Sequence, residues 1–178
     1  MTVLVAALED GVLVPTFDEI YAEHLGFVWR VLRACGLASD QLEDAAQDVF
    51  VVVHRRLSEF EGRSAITTWL FAITRRVAAS HRRRRQPAVV DPIVLPEVAS
   101  PADPFDDVLR RQAADAIAAI LDHMDEDRRL VFVLVELEQM SVAEVARLLD
   151  INTNTAHSRL RLARADFAAA VRKAKVDR

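Results

Sequence analysis

The sequence predicts an all-α protein made of two small helical units, a three- or four-helix bundle and a helix-turn-helix. Of the 178 residues, 52% are apolar and only 4 are Gly, a composition that favours helices over turns. Apolar residues recur at three- and four-residue spacing along most of the chain, as in half-buried helices. That periodicity stops between residues 86 and 104, where five prolines occur. Proline is excluded from helix interiors, so residues 87–105 are predicted to be a semi-stiff linker between the units.

Residues 1–16 are expected to form an N-terminal arm. They are apolar, but they carry Glu9 and Asp10 and lack a basic start, so they do not resemble a signal peptide. No run of about 18 apolar residues exists, and no membrane insertion is expected. The single cysteine, Cys35, lies in an apolar stretch. It is predicted to be a small core residue of a cytoplasmic protein, since a reducing compartment suits a chain without disulfides.

The first unit, residues 17–86, is predicted to contain three helices. The first runs from Phe17 to Cys35 and ends at Gly36. The second runs from Asp40 to about Leu57, with Ser39 or Asp40 as its N-cap. Ser64 is predicted to cap a third helix, which continues into a run of arginines. Each helix has one apolar stripe, so the three can share a core.

The second unit, residues 106–178, begins with an apolar stripe over positions 108–121. The dense apolar run from Leu130 to Leu137 is predicted to be a buried helix rather than a strand, because its neighbours are helical. Ser141 and Glu144 form the pattern S-x-x-E, which is typical of a capping box at the start of a helix.

The segment SVAEVARLLDINTNTAHSRLRLAR has the pattern of a helix-turn-helix. Asp150 falls at the sharp turn and is one of the few non-Gly residues that tolerate positive φ. Ile151 is expected to fill the core behind the turn, and Asn152 or Thr153 to cap the second helix. That helix has an inward apolar stripe (Ala156, Leu160, Ala163, Phe167) and an opposite polar, basic face. A solvated helical hairpin is the alternative, but the cap, the turn residue and the two distinct faces favour DNA binding in the major groove. The candidate DNA contacts are Asn154, Thr155, His157, Ser158, Arg159, Arg161 and Arg164.

The charge distribution supports a polyanionic partner although the net charge is −4. Residues 75–85 carry 6 Arg and no acid, and residues 151–178 carry 7 basic and 2 acidic side chains. Two basic blocks within an acidic protein indicate two places where DNA could bind. An arginine run at a helix end can also be merely solvated, but six arginines exceed what a helix C-terminus requires.

The segments LEDAAQDVFVVVHRRL and FEGRSAITTWLFAITRRVAASHRRRR resemble region 2 of a bacterial sigma factor, and the helix-turn-helix unit resembles region 4. With both regions in this order and a short linker between them, the chain is similar to the extracytoplasmic-function (group 4) sigma factors of the sigma-70 family. The resemblance implies a transcription initiation protein, active at the nucleoid, that binds core RNA polymerase at the largest-subunit clamp and the flap. It also implies recognition of the −10 and −35 elements of promoter DNA, and an anti-sigma factor as a further partner.

The resemblance also implies roles for individual residues. The face that would dock on the clamp comprises Glu43, Asp44, Gln47, Asp48 and Val51. The loop from Ser58 to Ser64 occupies the place where a flipped base of the −10 element is captured. In this loop Phe60, Arg63 and Ser64 are the candidate contacts. Trp69 could stack on a base, but its position in an apolar stripe favours the core. The upstream −10 duplex would be held by Arg75, Arg76, Arg82, Arg83, Arg84 and Arg85, and the helix-turn-helix would read the −35 element.

Three other function classes remain as alternatives. A sigma-like decoy could bind an anti-sigma factor without engaging DNA, although it would not need two basic blocks. An ordinary helix-turn-helix regulator would not explain the docking helix. An enzyme is not expected, since no nucleophile motif, metal-ligand spacing or phosphate loop occurs, and neither a cofactor nor a metal is predicted. The two units, joined only by the linker, are expected to move relative to each other.

Overall fold

Three helices form the N-terminal unit. The computed structural model describes residues 15–84, 114 and 116–176, with side chains described as far as residue 174. Helices α1 (Phe17–Ala34), α2 (Ser39–Arg56) and α3 (Ile66–Arg84) pack against one another in all three pairings, and a 3₁₀ turn at Leu57–Glu59 follows α2. Within these described ranges the regular elements are all helical. The predicted all-α fold is confirmed.

Helix α1 begins with a capping box that the sequence reading missed. The Thr16 hydroxyl accepts a hydrogen bond from the Glu19 amide at 3.3 Å, and the Glu19 carboxylate accepts one from the Thr16 amide at 2.7 Å. Most of the predicted apolar stripe is buried, but Tyr21 is 45% exposed. The helix ends where predicted, before Gly36, which adopts a φ of 79°.

The predicted caps of the next two helices are displaced. Helix α2 begins at Ser39 itself, and the N-cap position belongs to Ala38, which has no side-chain hydrogen bond. Helix α3 begins at Ile66, so Ala65, whose carbonyl accepts from the Trp69 amide at 3.3 Å, holds the cap position instead of Ser64. In both cases the residue at the cap position is an alanine, so the nearest hydroxyl does not mark the start of the helix.

The C-terminal unit begins with helical residues at 116–122. Helix α4 (Glu126–Phe132) follows, capped by the Asp125 carboxylate, and continues into a π-helical segment, Val133–Leu137. The prediction of a buried helix here is confirmed for positions 130–134. The change from α-helix to π-helix at Val133 was not predicted. Helices α5 (Val142–Leu149) and α6 (Thr153–Val176) complete the unit, with α6 packed on both α4 and α5.

The two units share one hydrophobic core. Helix α1 packs on α4 and on the π-helical segment, and buried residues of both units belong to a single contiguous cluster. The expectation that only the linker joins the units is therefore wrong. The predictions for residues 1–14, for the linker 87–105, for positions 106–113 and for Arg85 lie outside the described residues.

Candidate nucleic-acid interface

The helix-turn-helix begins with the predicted capping box. The Ser141 amide and hydroxyl donate to the Glu144 carboxylate at 2.8 and 2.6 Å, and the Glu144 amide donates back to the Ser141 hydroxyl at 3.2 Å. These two donors to the charged carboxylate lower the pKa of Glu144. The box fixes the first turn of α5, and Val145 and Ala146 are then buried against α6.

The turn between α5 and α6 has the predicted left-handed residue. Asp150 adopts φ 56° and ψ 48°, and the Ile151 amide donates to the Ala146 carbonyl at 2.9 Å. These contacts satisfy carbonyls that the end of a helix leaves unpaired. The Asn152 side chain then accepts from the Asn154 amide at 2.8 Å, which makes Asn152 the N-cap of α6.

Helix α6 separates its two faces as predicted. Ala156 and Ala163 are fully buried and Leu160 is 4% exposed. Farther along, Phe167 stacks on Phe132 of α4 with ring centroids 5.0 Å apart. The opposite face is exposed over its first two turns and carries short polar groups and one guanidinium: Asn154, Thr155, His157, Ser158 and Arg161.

The two arginines predicted at the edges of this face are already paired within the C-terminal unit. Arg159 pairs with Asp127, and Arg164 donates to Glu136 at 2.8 Å. Each arginine would have to leave a carboxylate in order to contact a phosphate. In the structure these ion pairs connect α6 to α4 and to the π-helical segment. They thereby help to fix the rotation of α6 about its axis, and with it the side on which the polar face is exposed.

Some arginines of α3 are exposed, and one, Arg82, contacts groups of other helices. Arg75 and Arg76 are exposed and line a groove of about 780 Å³ between α3 and α5, opposite Arg147. Arg82 donates to the Cys35 carbonyl at 2.9 Å and forms an ion pair with Glu126 at 2.6 Å. Arg83 and Arg84 are exposed as well.

The loop between α2 and α3 does not present Phe60 to solvent. Its ring is 7% exposed and lies 5.2 Å from the Trp69 ring, so both aromatic rings contribute to packing. The core role favoured for Trp69 fits this arrangement. Arg63 is open to solvent and pairs with Glu61 at 2.5 Å, and Ser64 is exposed. Base capture by Phe60 would require the loop to rearrange.

The predicted docking residues share one exposed face of α2. This face borders a groove of about 840 Å³ whose floor is aromatic. Sequence reading missed Tyr21, which projects from α1 and meets Phe50 edge-on at 4.7 Å. The available signal was a tyrosine, whose hydroxyl prefers to reach solvent, within the apolar stripe of α1. The exposed residues of α2 are Glu43, Asp44, Gln47, Asp48 and Val51, of which Asp48 contacts His81 of α3 at 2.8 Å.

The two units match known families in the order in which they occur. The family described as sigma-70 region 2 matches residues 20–88, and the family described as sigma-70, region 4 matches residues 114–167. The chain belongs to the sigma-70 family. This membership explains why one chain carries a three-helix unit and a helix-turn-helix.

Individual relatives support the same assignment. The ECF RNA polymerase sigma factor SigM of Mycobacterium tuberculosis is 28% identical over 152 residues, 85% of this chain and 75% of that protein. The ECF RNA polymerase sigma-E factor of Escherichia coli is 29% identical over 139 residues, 71% of each. The resemblance to extracytoplasmic-function sigma factors is confirmed.

Solved structures share the fold. The sigma factor RpoE of Bartonella quintana, crystallised with the anti-sigma factor NepR, superposes with a TM-score of 0.68 over 91% of this chain and 98% of that one, at 20% identity. CnrH, in complex with the cytosolic domain of CnrY, gives a TM-score of 0.61 over 88% of each chain, at 23% identity. Among the helices described here, none is long and apolar enough to cross a membrane.

Proposed function

We propose that this sigma factor docks on the clamp of core RNA polymerase through the exposed face of α2 and reads promoter DNA with two separate surfaces. We propose residues 17–86 as region 2 and residues 106–178 as region 4, with 87–105 as the linker; the family matches at 20–88 and 114–167 support this division. The face of α2 combines carboxylates with the apolar Val51, beside an aromatic groove. Such a surface suits a basic partner that also buries apolar side chains.

The observation that carries the DNA-reading role is the geometry of α6. Its first two turns expose polar and basic groups, and on its other face Ala156, Leu160 and Ala163 are buried in the core. A helix with exposed short polar groups near its N-terminus fits the major groove. We assign the −35 element to this face and the −10 element to the loop before α3 and the α3 arginines. The site of action would be the cytoplasm, at the nucleoid when polymerase is bound.

Run-off transcription tests the overall proposal. Purified chain and core polymerase are mixed with a template carrying the promoter that lies upstream of its own gene, and a discrete transcript is expected. Core polymerase alone is the control. Absence of a transcript, together with normal polymerase binding, would contradict promoter recognition.

Reading by Arg161 is tested by replacing it with alanine. Arg161→Ala should relax discrimination at one base pair of the −35 element by about 1–3 kcal/mol. Arg172→Ala is the matched control, because Arg172 is an exposed arginine farther along the same helix. A loss in affinity that is uniform across all sequences would instead make Arg161 a phosphate contact.

Docking by the α2 face is tested at Val51, which is 41% exposed. Val51→Lys should weaken binding to core polymerase, since it replaces an apolar group of this face with a cation that repels a basic partner. Ala119→Lys, at an exposed position of the C-terminal unit, adds the same charge away from the face. Equal affinities of the two variants, measured by fluorescence anisotropy, would exclude this docking surface.

One observation favours the decoy as a second candidate. Arg82, Arg159 and Arg164, all predicted DNA contacts, are each held by a carboxylate of the same chain. A decoy would bind polymerase or an anti-sigma factor yet fail to bind duplex DNA even at low salt. Binding to duplex DNA that weakens steeply with salt would exclude this candidate.

A further inference from the structure

A cavity of about 260 Å³ lies between α1 and the helical residues 116–122. Arg30 and Leu137 line it and are exposed, so the cavity reaches the solvent on their side. Its volume is below the roughly 300–1,000 Å³ of sites for drug-sized ligands, so it suits a smaller molecule. The larger apolar side chains of its wall are Leu25, Trp29, Leu42, Ile117, Leu121, Val133 and Leu137.

The wall of this cavity is positively charged. Arg30, Arg33 and Arg129 all line it, and the described lining contains no acidic residue. Arg30 and Arg33 each direct one edge of the guanidinium to a carboxylate that is outside the lining, Glu138 and Asp122 respectively. An apolar space with cations at its wall suits a ligand that has an apolar body and a negative head.

Arg129 is a buried cation whose described hydrogen-bond acceptors are all backbone carbonyls. The residue is 7% exposed, and Nε donates to the Ala34 carbonyl at 2.9 Å. Nη1 donates to the Leu121 carbonyl at 3.3 Å and to the Met124 carbonyl at 3.5 Å. Burying a charge is costly unless hydrogen bonds and an opposite charge compensate. Neutral carbonyls provide the hydrogen bonds but no opposite charge, so the cavity beside Arg129 favours an anion over a neutral ligand.

Arg33 has a donor that is not used. The residue is 9% exposed, and Nε and Nη2 donate to Asp122 at 3.1 and 2.7 Å. Nη1, away from that edge, is buried without a hydrogen-bond partner among the described residues. An unpaired buried donor costs stability. A carboxylate at this wall would supply the missing acceptor, and a bond to a charged acceptor is stronger than one to a neutral group.

Two local irregularities of the helices occur at the same cavity. Gly26, in the middle of α1, lines it, although glycine is unfavourable inside a helix. A Cβ at Gly26 would lie 3.0 Å from Nη1 of Arg30, so glycine leaves room for that guanidinium at the rim. Val133 and Leu137, the two ends of the π-helical segment, also line the cavity. Single π-helical turns are rare and frequently occur at functional sites.

We propose that this cavity binds a small monocarboxylate with an apolar body. The body lies among Trp29, Leu121 and Val133, where it gains dispersion contacts with the wall, and the carboxylate faces Arg33. This inference does not depend on promoter recognition, because it concerns a ligand site in the interior of the chain and is tested by binding alone.

Octanoate is the probe, titrated into the full chain and followed by NMR of the Ile, Leu and Val methyl groups. The resonances of Ile117, Leu121 and Val133 should shift, with a Kd of roughly 0.1–1 mM, as a well-packed ligand of about ten non-hydrogen atoms can reach. Those of Val51, in the aromatic groove beside α2, should not. Shifts centred on Val51, or no shifts at all, would overturn the proposed site.

Two further probes separate the head of the ligand from its body. Acetate has the carboxylate without the apolar body and should not shift the cavity resonances at the same concentrations. Octan-1-ol has the body without the charge and should bind more weakly than octanoate. Equal affinities for octanoate and octan-1-ol would overturn the selection of an anion.

The role of Arg33 is tested by a pair of variants that break the same ion pair. Arg33→Met removes the guanidinium and should weaken octanoate binding about tenfold, as expected for a hydrogen bond to a charged group, with octan-1-ol binding unchanged. Asp122→Asn keeps the guanidinium and should bind octanoate at least as tightly as the wild type. Equal losses in the two variants would show that Arg33 acts only through its ion pair, and would overturn its contact with the ligand.

A variant that fills the cavity tests the location without removing any charge. Ala118 lines the cavity and is 6% exposed, so Ala118→Leu should weaken the binding of octanoate and of octan-1-ol at least tenfold. Arg56→Met is the control, because Arg56 is exposed and pairs with Glu59 outside the cavity, and it should bind both ligands like the wild type. Unchanged octanoate binding in Ala118→Leu would place the ligand elsewhere and overturn the proposal.

Discussion

Asp150, at the turn of the helix-turn-helix, allows a quantitative test of how the backbone sets the recognition helix. Its φ of 56° and ψ of 48° lie almost at the centre of the left-handed region. An L-residue there costs roughly 1–2 kcal/mol, and Asp, with its short polar side chain, tolerates it better than most. The side chain is exposed, so a substitution acts mainly through the backbone and removes no core contact.

The expected series of unfolding free energies follows from that geometry. Asp150→Asn should be neutral, and Asp150→Ala should lower the free energy of unfolding by about 0.5–1 kcal/mol, since alanine has no polar group to offset the strain. Asp150→Val should cost about 1–2 kcal/mol because β-branched residues are the least tolerant of positive φ. Asp150→Gly relieves strain but increases the entropy of the unfolded chain, so it should lie within about 0.5 kcal/mol of the wild type.

Urea unfolding followed by far-ultraviolet circular dichroism measures the series. The far-ultraviolet spectra of the folded variants serve as the control that none has lost helix before urea is added. If alanine and valine proved as stable as asparagine, the backbone at this turn would not carry the assigned strain. The explanation for an Asp at this position would then be refuted.

Three further predictions concern buried or capped groups. Ser141→Ala should lower the free energy of unfolding by about 1 kcal/mol at pH 7. Because the folded pKa of Glu144 is depressed below its usual 4.5, the stability that this carboxylate contributes is present above that pH and is lost as the pH falls through the folded pKa. In urea titrations the difference between the two proteins should therefore be smaller at pH 3 than at pH 7, the remainder being the bond from the Glu144 amide to the Ser141 hydroxyl. An equal difference at both pH values would contradict the contribution of the carboxylate. Ala156→Leu, at a fully buried position, should lower the free energy of unfolding by about 1–3 kcal/mol through overpacking and should weaken DNA binding. Ala168→Leu, at an exposed position, should change neither quantity. Equal effects of the two substitutions would show that Ala156 does not pack between helices. The Cys35 thiol, with a pKa raised to about 11 by burial, should react with a thiol reagent far more slowly at pH 8 than in the urea-unfolded chain, and equal rates would show that the thiol is accessible.

Local features of the fold were predictable because their causes lie within a few residues. The capping box at Ser141, the left-handed residue at Asp150 and the inward stripe through Ala156 and Leu160 each depend on short sequence spacing. The structure has all three where the sequence placed them. The start of α2 was misplaced because Ala38, which has no capping side chain, occupies the cap position.

Contacts between distant segments were not predictable. Nothing near Arg82 in the sequence indicates that it reaches Glu126, 44 positions later. The acceptors of Arg129 and Arg82 at the end of α1 are backbone carbonyls, which every residue has and which therefore leave no mark in a sequence. The burial of Phe60 also depends on Trp69 in the next helix. For these reasons the exposed polar face of α6 was foreseen, whereas the packing of the two units against each other was not.

Helix α6 divides its length between two tasks, and this division has an evolutionary consequence. Its 24 residues span about 36 Å, but the exposed positions proposed to read DNA all lie in the first half, between Asn154 and Arg161. The second half is anchored through Phe167 against Phe132. If this face reads the −35 element as proposed, mutations near the start of the helix can change which bases are preferred while the packing of the helix is unchanged. Related proteins could diverge to control different genes through a handful of surface substitutions, with the buried half of the same helix left intact.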